Sequence, residues 1–203
     1  IILNIFLKAI KLWNLVLENE FNKYIDQCSI NLKDLKLNIL PQLEEAIINI
    51  NKCFSLGGKI IFFGNGGSAS DSQHICAELV GRYKKNRAPL AAIALNTDTS
   101  IITAVANDMG YEQVFERQVK ALAKKEDILF AISTSGESKN VINAVKVGKE
   151  MGIYSISLTG MKDSTLSKLS NISINVPSNT VNHVQEMHII IGHFICEIVE
   201  KEF

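Results

Sequence analysis

Lys59-Ile60-Ile61-Phe62-Phe63 runs directly into Gly64-Asn65-Gly66-Gly67-Ser68-Ala69-Ser70-Asp71. The apolar run lies between Gly57-Gly58 and Gly64. It reads as a strand buried on both faces, the kind a parallel sheet uses. A glycine-rich turn follows, then a helical pattern over 69–82. The same unit recurs along the chain. Residues 90–95, 127–132, 154–158 and 172–176 are further short strand-like runs. Helical patterns over 99–105 with 111–124, over 138–151 and over 164–169 separate them, and a long one over 180–202 closes the chain. Strands alternating with helices predict an α/β fold, a doubly wound five-stranded parallel sheet flanked by helices and joined by right-handed crossovers. Residues 1–56 carry helical periodicity only. Pro41 marks a break there, and Leu40, Leu43, Ile47, Ile48 and Phe54 offer the second N-terminal helix a buried face. No linker or low-complexity stretch interrupts the pattern, so 1–203 reads as a single domain.

Composition narrows the function classes. The 203 residues carry 21 basic and 21 acidic side chains, and 47% are hydrophobic. A neutral chain has no basic excess to neutralise phosphates in bulk, which argues against nucleic-acid binding. The apolar fraction excludes a disordered tail, and 15 Pro plus Gly (12 + 3) exclude a collagen-like repeat. Cys28, Cys53, Cys76 and Cys196 form no C-x-x-C pair or zinc-finger spacing, which suits reduced thiols in a cytoplasmic protein.

The first seventeen residues are apolar but interrupted by Asn4, Lys8, Lys11 and Asn14 at three- or four-residue intervals. A signal peptide would put its charge first, and a spanning helix needs about 20 apolar residues with few charges. One polar stripe on an otherwise apolar helix instead predicts packing against a partner surface, most simply another subunit, with no membrane span. The chain opens without Met, so the first residues need not be a natural start.

In a doubly wound sheet, ligands bind where strand ends pass into helix starts. Two such loops stand out. Gly64-Asn65-Gly66-Gly67 lets the backbone approach a ligand, and a helix beginning near Ser68 would aim free N–H groups at it. The loop is neither G-x-G-x-x-G nor a Walker A motif, and many glycine turns of this kind bind nothing. After the third strand, Ser133-Thr134-Ser135-Gly136-Glu137-Ser138 packs four hydroxyls into six residues at a helix start. One or two would be ordinary caps. Four form a cluster of donors suited to a phosphate monoester without any Lys or Arg.

Polar residues on the helices are less decisive alone. His74 and Glu78 are four apart and share one helix face, as a solvated pair often does. Gln185, Glu186, His188 and His193 lie on the last helix, with His193 inside an apolar run. A polar group there needs a partner; it is either a satisfied core histidine or an active-site group. Asn107-Asp108 reads as a turn.

Together, GNGGSASDSQHICAELVGRY (64–83), AVANDMGYEQVFERQV (104–119), ISTSGESKNVINAV (132–145), ISLTG (156–160) and VQEMHIIIGHFICEIVE (184–200) resemble the SIS (sugar isomerase) domain, and closely the phosphoheptose isomerase family. The likeness covers about residues 40–203. It implies that Asn65, Gly66, Gly67 and Ser68 contact the sugar, helped by Asn107, Asp108 and Gln185. It implies that Ser133, Thr134, Ser135 and Ser138 hold the phosphate, and that Glu78 and His193 are the acid/base pair. His74, Glu78, Gln185 and His193 match positions that bind zinc in members of the family. The family is tetrameric with shared sites, which would let Gln185 and His193 come from a neighbouring chain and give residues 1–56 an oligomer-contact role. Where some members have an acidic residue three positions before the helix glutamine, this chain has Asn182.

The activity implied is aldose–ketose isomerisation of sedoheptulose 7-phosphate to D-glycero-D-manno-heptose 7-phosphate through an enediol, the first step toward activated heptose for surface polysaccharide. The competing reading is a non-catalytic SIS module that binds a phosphosugar or a protein such as a replication initiator. Such modules tend to lack the acid at position 78, so Glu78 with His74 and His193 favours the enzyme. A SIS enzyme acting on another phosphosugar is disfavoured by the Q-E-x-H helix.

Overall fold

The computed structural model describes the backbone of residues 2–160 and 163–203, and the side chains of 13–160 and 163–203. Helices α1 (Ile2–Asn38) and α2 (Leu40–Ser55) come first. Then follow β1 (Ile60–Gly64), α3 (Gly67–Val80), β2 (Ala92–Ala94), α4 (Thr99–Met109), a 3₁₀ turn Tyr111–Gln113 and α5 (Val114–Leu122). The second half runs β3 (Ile128–Ser133), α6 (Lys139–Glu150), β4 (Tyr154–Thr159), α7 (Thr165–Leu169), β5 (Ile172–Asn175) and α8 (Val181–Val199). The five strands form one parallel sheet in the order β2-β1-β3-β4-β5.

The alternation of side chains along the strands explains why helices cover both faces. Ile60, Phe62, Ile128, Phe130, Ile132, Ile156, Leu158, Ile172 and Ile174 face one layer, where α2, α3 and α8 pack. Ile61, Phe63, Leu129 and Ala131 face the other, against α5, α6 and α7. The first face is apolar across these strands, whereas on the second β4 places buried Ser155, Ser157 and Thr159, with Ser157 bonding Ser173 of β5 at 3.0 Å. The strand expected over 90–95 shortens to three residues, with Leu90 and Leu95 buried at its flanks.

The break expected at Pro41 falls at Ile39, between α1 and α2, and Pro41 sits in the first turn of α2, where a missing N–H is harmless. The N-terminal helices depart from the sequence reading in which residues α2 buries. The buried face of α2 is Leu43, Ala46, Ile50 and Cys53, while Leu40 and Ile48 are 64% and 58% exposed. The helix is rolled so that Ala46 fits flush against the body, which turns Ile48 outward. The polar stripe of Asn4, Lys8 and Lys11 lies outside the described side chains; on the described part of α1, Trp13, Leu17 and Phe21 are exposed. Among the described residues, no helix is long and apolar enough to cross a membrane.

His188, on α8, is fully buried in the layer beneath the sheet. Burial pushes its imidazole down to about 4 from 6.5, against a smaller opposing pull from the Thr159 backbone. The folded protein keeps this ring neutral while the unfolded chain protonates it. His188 therefore imposes no penalty above pH 6.5 and an increasing one as pH falls from there towards 4. We expect it to remove about 2 kcal/mol of stability by pH 5 and about 3 kcal/mol below pH 4. Denaturant melts of the wild type and His188→Leu across this range check the sign: the variant should lose less stability on acidification. An equal loss in both proteins would contradict the assignment.

Candidate active site

The sheet order sets where a ligand can sit. The chain leaves β1 outward to β2 and later returns to β3 on the opposite side of β1, so the winding reverses between β1 and β3. The glycine loop follows β1 and the serine loop follows β3, and Gly64 pairs in register with Ile132. Two loops some seventy residues apart in sequence thus open side by side onto one crevice.

The glycine loop turns through Gly66 at φ +56, which a side chain would resist. Asn65 is held in a reciprocal amide pair with Asn140 at the start of α6, both bonds 2.9 Å, and also accepts from the Tyr111 hydroxyl at 3.0 Å. This network joins the two loops and the turn after α4. Asn107 and Asp108, expected in a turn, occupy the last helical turn of α4, exposed and bonded to each other at 2.7 Å. Ser68 is buried, with its Cβ close to Gly64.

In the serine loop the Ser133 and Ser138 hydroxyls lie 3.2 Å apart. The Gly136 N–H donates to Ser133 Oγ, and the Glu137 N–H to Ser135 Oγ. Gly136 has φ +65, which turns the chain back over the strand end. The Glu137 carboxylate accepts from the N–H and hydroxyl of Thr165, which lowers its pKa and ties the loop to α7. Ser135 is exposed, and Thr134 and Ser138 half-buried, so hydroxyls remain open to the crevice.

The candidate acid/base and metal-ligating groups come from α3 and α8. These helices pack in parallel: Gln185 lies against Gly67, His193 against His74, and Lys84 beyond α3 reaches Glu197. Gly192 allows the approach, since a Cβ there would overlap Ile75. His74 Nε2 lies 3.2 Å from Glu78 Oε1 and 3.3 Å from His193 Nε2. Ligand atoms of His74, Glu78 and His193 all fall within 4.8 Å of one another. Gln185 sits at the head of the same groove.

Within the chain, Gln185 and His193 both face α3. The eight residues between them span about 12 Å of helix, and the seven from Gly67 to His74 about 10 Å, so parallel helices bring both pairs into contact. Of the two histidines in the apolar stretch of α8, His188 is the core residue and His193 reaches the groove.

Several supporting residues carried no readable signal. Tyr83 stacks on His193 with ring centroids 5.5 Å apart and planes 20° off parallel. The buried Glu200 carboxylate accepts the backbone N–H groups of Lys84 and Lys85, fixing the turn that carries Tyr83. Arg87 donates to the carbonyls of Glu78 and Leu79, capping the end of α3 just where Glu78 projects. Asp71 lies one turn before His74; burial raises its pKa to about 6, with His74 pulling the other way.

A parallel sheet whose switch point carries a glycine loop beside a serine loop defines a sugar isomerase domain, and the SIS domain model matches residues 23–160. Three comparisons narrow this. A phosphoheptose isomerase of Helicobacter pylori (strain P12) is 44% identical over 188 residues, 93% of this chain and 96% of that protein. One of Aliarcobacter butzleri is 54% identical over 146 residues, 72% of this chain and 77% of that protein. The structure of the phosphoheptose isomerase from Neisseria gonorrhoeae superposes with a TM-score of 0.86 at 35% identity, covering 91% of this chain and 99% of the other. The chain belongs to the phosphoheptose isomerase family.

Proposed function

We propose that this chain interconverts sedoheptulose 7-phosphate and D-glycero-D-manno-heptose 7-phosphate, with Glu78 and His193 as its acid/base pair. The observation that carries the reading is the convergence of Glu78, His74 and His193 between α8 and α3, the helix that begins at the glycine loop. A non-catalytic module would have no use for a half-buried carboxylate and two imidazoles in mutual contact.

The serine loop supplies hydroxyl and backbone donors for the phosphate, so that binding energy at the remote end positions the reacting carbons. The Glu78 carboxylate takes the proton from C1 of the open-chain ketose while His193 gives one to the C2 oxygen, and the enediol forms. His193 then removes the proton from the C1 oxygen, and Glu78 returns its proton to C2, leaving the aldose. No proton is gained or lost overall. Asn65 and the glycine-loop backbone hold the hydroxyls between the two ends. Tyr83 fixes the plane of the His193 ring.

His74, Glu78 and His193 offer two imidazoles and a carboxylate within 4.8 Å of one another, a donor set that fits zinc, and Gln185, packed against Gly67 at the start of α3, would have to reach along the groove to add an amide oxygen. A zinc ion bound there would stabilise negative charge on the substrate oxygens. Reconstituting metal-stripped protein with zinc should raise turnover at least about tenfold; equal rates in the two forms would remove the metal from the reading.

The reading also includes a homotetramer in the bacterial cytoplasm, feeding heptose into surface polysaccharide. Exposed Trp13, Leu17 and Phe21 on α1, and Leu40, Ile48 and Phe194 nearer the body, supply apolar surface for self-association. The free cysteines suit a reducing compartment. The direct test supplies sedoheptulose 7-phosphate and follows aldoheptose 7-phosphate by NMR. Folded, zinc-supplied protein that binds the ketose without forming the aldose would overturn the proposal.

A further inference from the structure

A second cluster of ligating groups lies where α1 crosses the head of α8. Cys28 Sγ is 3.6 Å from His183 Nδ1 and 3.4 Å from Glu186 Oε2, and His183 Nδ1 is 2.9 Å from the same carboxylate oxygen. His183 is buried, and Cys28 and Glu186 are half-buried. The three ligand atoms fall within 4.8 Å of one another.

The triangle these atoms form has the size of one face of a zinc tetrahedron. With Zn–S of about 2.3 Å and Zn–N or Zn–O of about 2.0–2.1 Å, tetrahedral angles place sulfur about 3.5 Å from N or O, and N about 3.3 Å from O. The two sulfur edges match within about 0.2 Å, and the third needs to open by about 0.4 Å. We propose that Cys28, His183 and Glu186 form a second metal site that takes Zn²⁺ and clamps α1 to α8.

The surroundings are built as such a site requires. Tyr24 donates its hydroxyl to the other oxygen of Glu186, leaving Oε2 directed at Cys28 and His183. Asn182 donates to that hydroxyl at 3.0 Å, and the Tyr24 ring lies 4.9 Å from the His183 ring. Outer contacts that fix a ligand's orientation are the usual companions of bound zinc. The chain thus uses Asn182, its departure from the family's acidic residue, to orient Tyr24. Charge also balances. A thiolate and a carboxylate cancel the two charges of the ion, His183 binds neutral, and water takes the fourth position. Without metal, burial and the Glu186 carboxylate push the Cys28 thiol up, so it stays protonated and donates to Glu186; binding releases that proton to solvent.

The cluster is separate from the groove. His183 lies ten residues before His193, about 15 Å along α8, and about 200° round the helix from Gln185. It also stands apart in chemistry, because the groove set of His74, Glu78, Gln185 and His193 contains no sulfur.

Cobalt substitution exploits that difference, because only a thiolate ligand gives a sulfur-to-cobalt charge-transfer band in the near ultraviolet. Full-length protein stripped of metal and titrated with Co²⁺ should develop this band to one equivalent per chain. His74→Ala, which disables the groove, should keep it. Cys28→Ser and His183→Gln should both lose it and bind one zinc fewer per chain. Circular dichroism checks that each variant is folded; if Cys28→Ser is not, His183→Gln decides. Absence of the band in saturated wild type, its loss in folded His74→Ala, or its retention in either cluster variant overturns the site.

Discussion

Glu78→Gln should slow the isomerase roughly 10²–10⁴-fold, the range a positioned acid/base contributes. The substitution exchanges an oxygen for an NH₂ of the same shape. Position 78 lies one turn from the end of α3, where Arg87 caps the carbonyls of Glu78 and Leu79, so the helix stays as it is. The serine loop is untouched, so affinity for the ketose should change little. The loss should fall on turnover, the mark of a group that acts as carbon–hydrogen bond cleavage begins. An NMR progress curve at saturating substrate measures it, with binding followed by calorimetry. Because Glu78 is also a prospective metal ligand, zinc content is determined in the same preparations. A Gln variant within a few-fold of wild type at full zinc content would refute the base assignment.

The second large effect concerns the serine loop. Gly136→Ala should destabilise the protein by about 2–4 kcal/mol, combining a left-handed alanine with forced packing, and should raise KM steeply. Gly136 has φ +65, and a Cβ there would overlap the side chain of Ser164. Ser164 is 2% exposed and caps α7 by accepting from the Ser167 N–H at 3.1 Å, so it has nowhere to move. The loop must shift instead, taking the hydroxyls of Ser133, Ser135 and Ser138 with it. Gly152 supplies the control, since it has φ +71 and open space around its missing Cβ. Gly152→Ala should lose only about 1–2 kcal/mol and keep KM. If Gly136→Ala behaves like Gly152→Ala in both stability and KM, the loop does not depend on that turn.

Much of this was legible in the sequence. Strands such as Ile60–Gly64 and Ile128–Ser133 are apolar on both faces and bounded by turn residues, so their type and their places along the chain followed directly. The serine loop was readable because hydroxyl density exceeded what capping needs. What could not be read depended on how helices roll and approach. Leu40 and Ile48 fit a helical stripe as well as Ala46 does, and only the shape of the opposing surface selects the small residue. Likewise His188 and His193 are both imidazoles among isoleucines. Which one is entombed depends on the Gly192–Ile75 crossing, a contact between helices more than a hundred residues apart in sequence. Tyr83 and Glu200 escaped notice because a turn and a chain terminus give no periodic signal, although together they hold the His193 ring.

The alternation of side chains through the sheet has one further consequence. The proposed acid/base groups hang from α3 and α8, which belong to one hydrophobic layer, whereas the serine loop proposed to hold the phosphate leads into α6, rooted in the other. Grip and chemistry therefore stand on separate foundations with a single sheet as their common wall. Repacking one layer can re-aim the proton-handling groups while the handle that captures phosphorylated sugars stays in register, so a lineage could exchange one reaction for another without losing its hold on this kind of substrate.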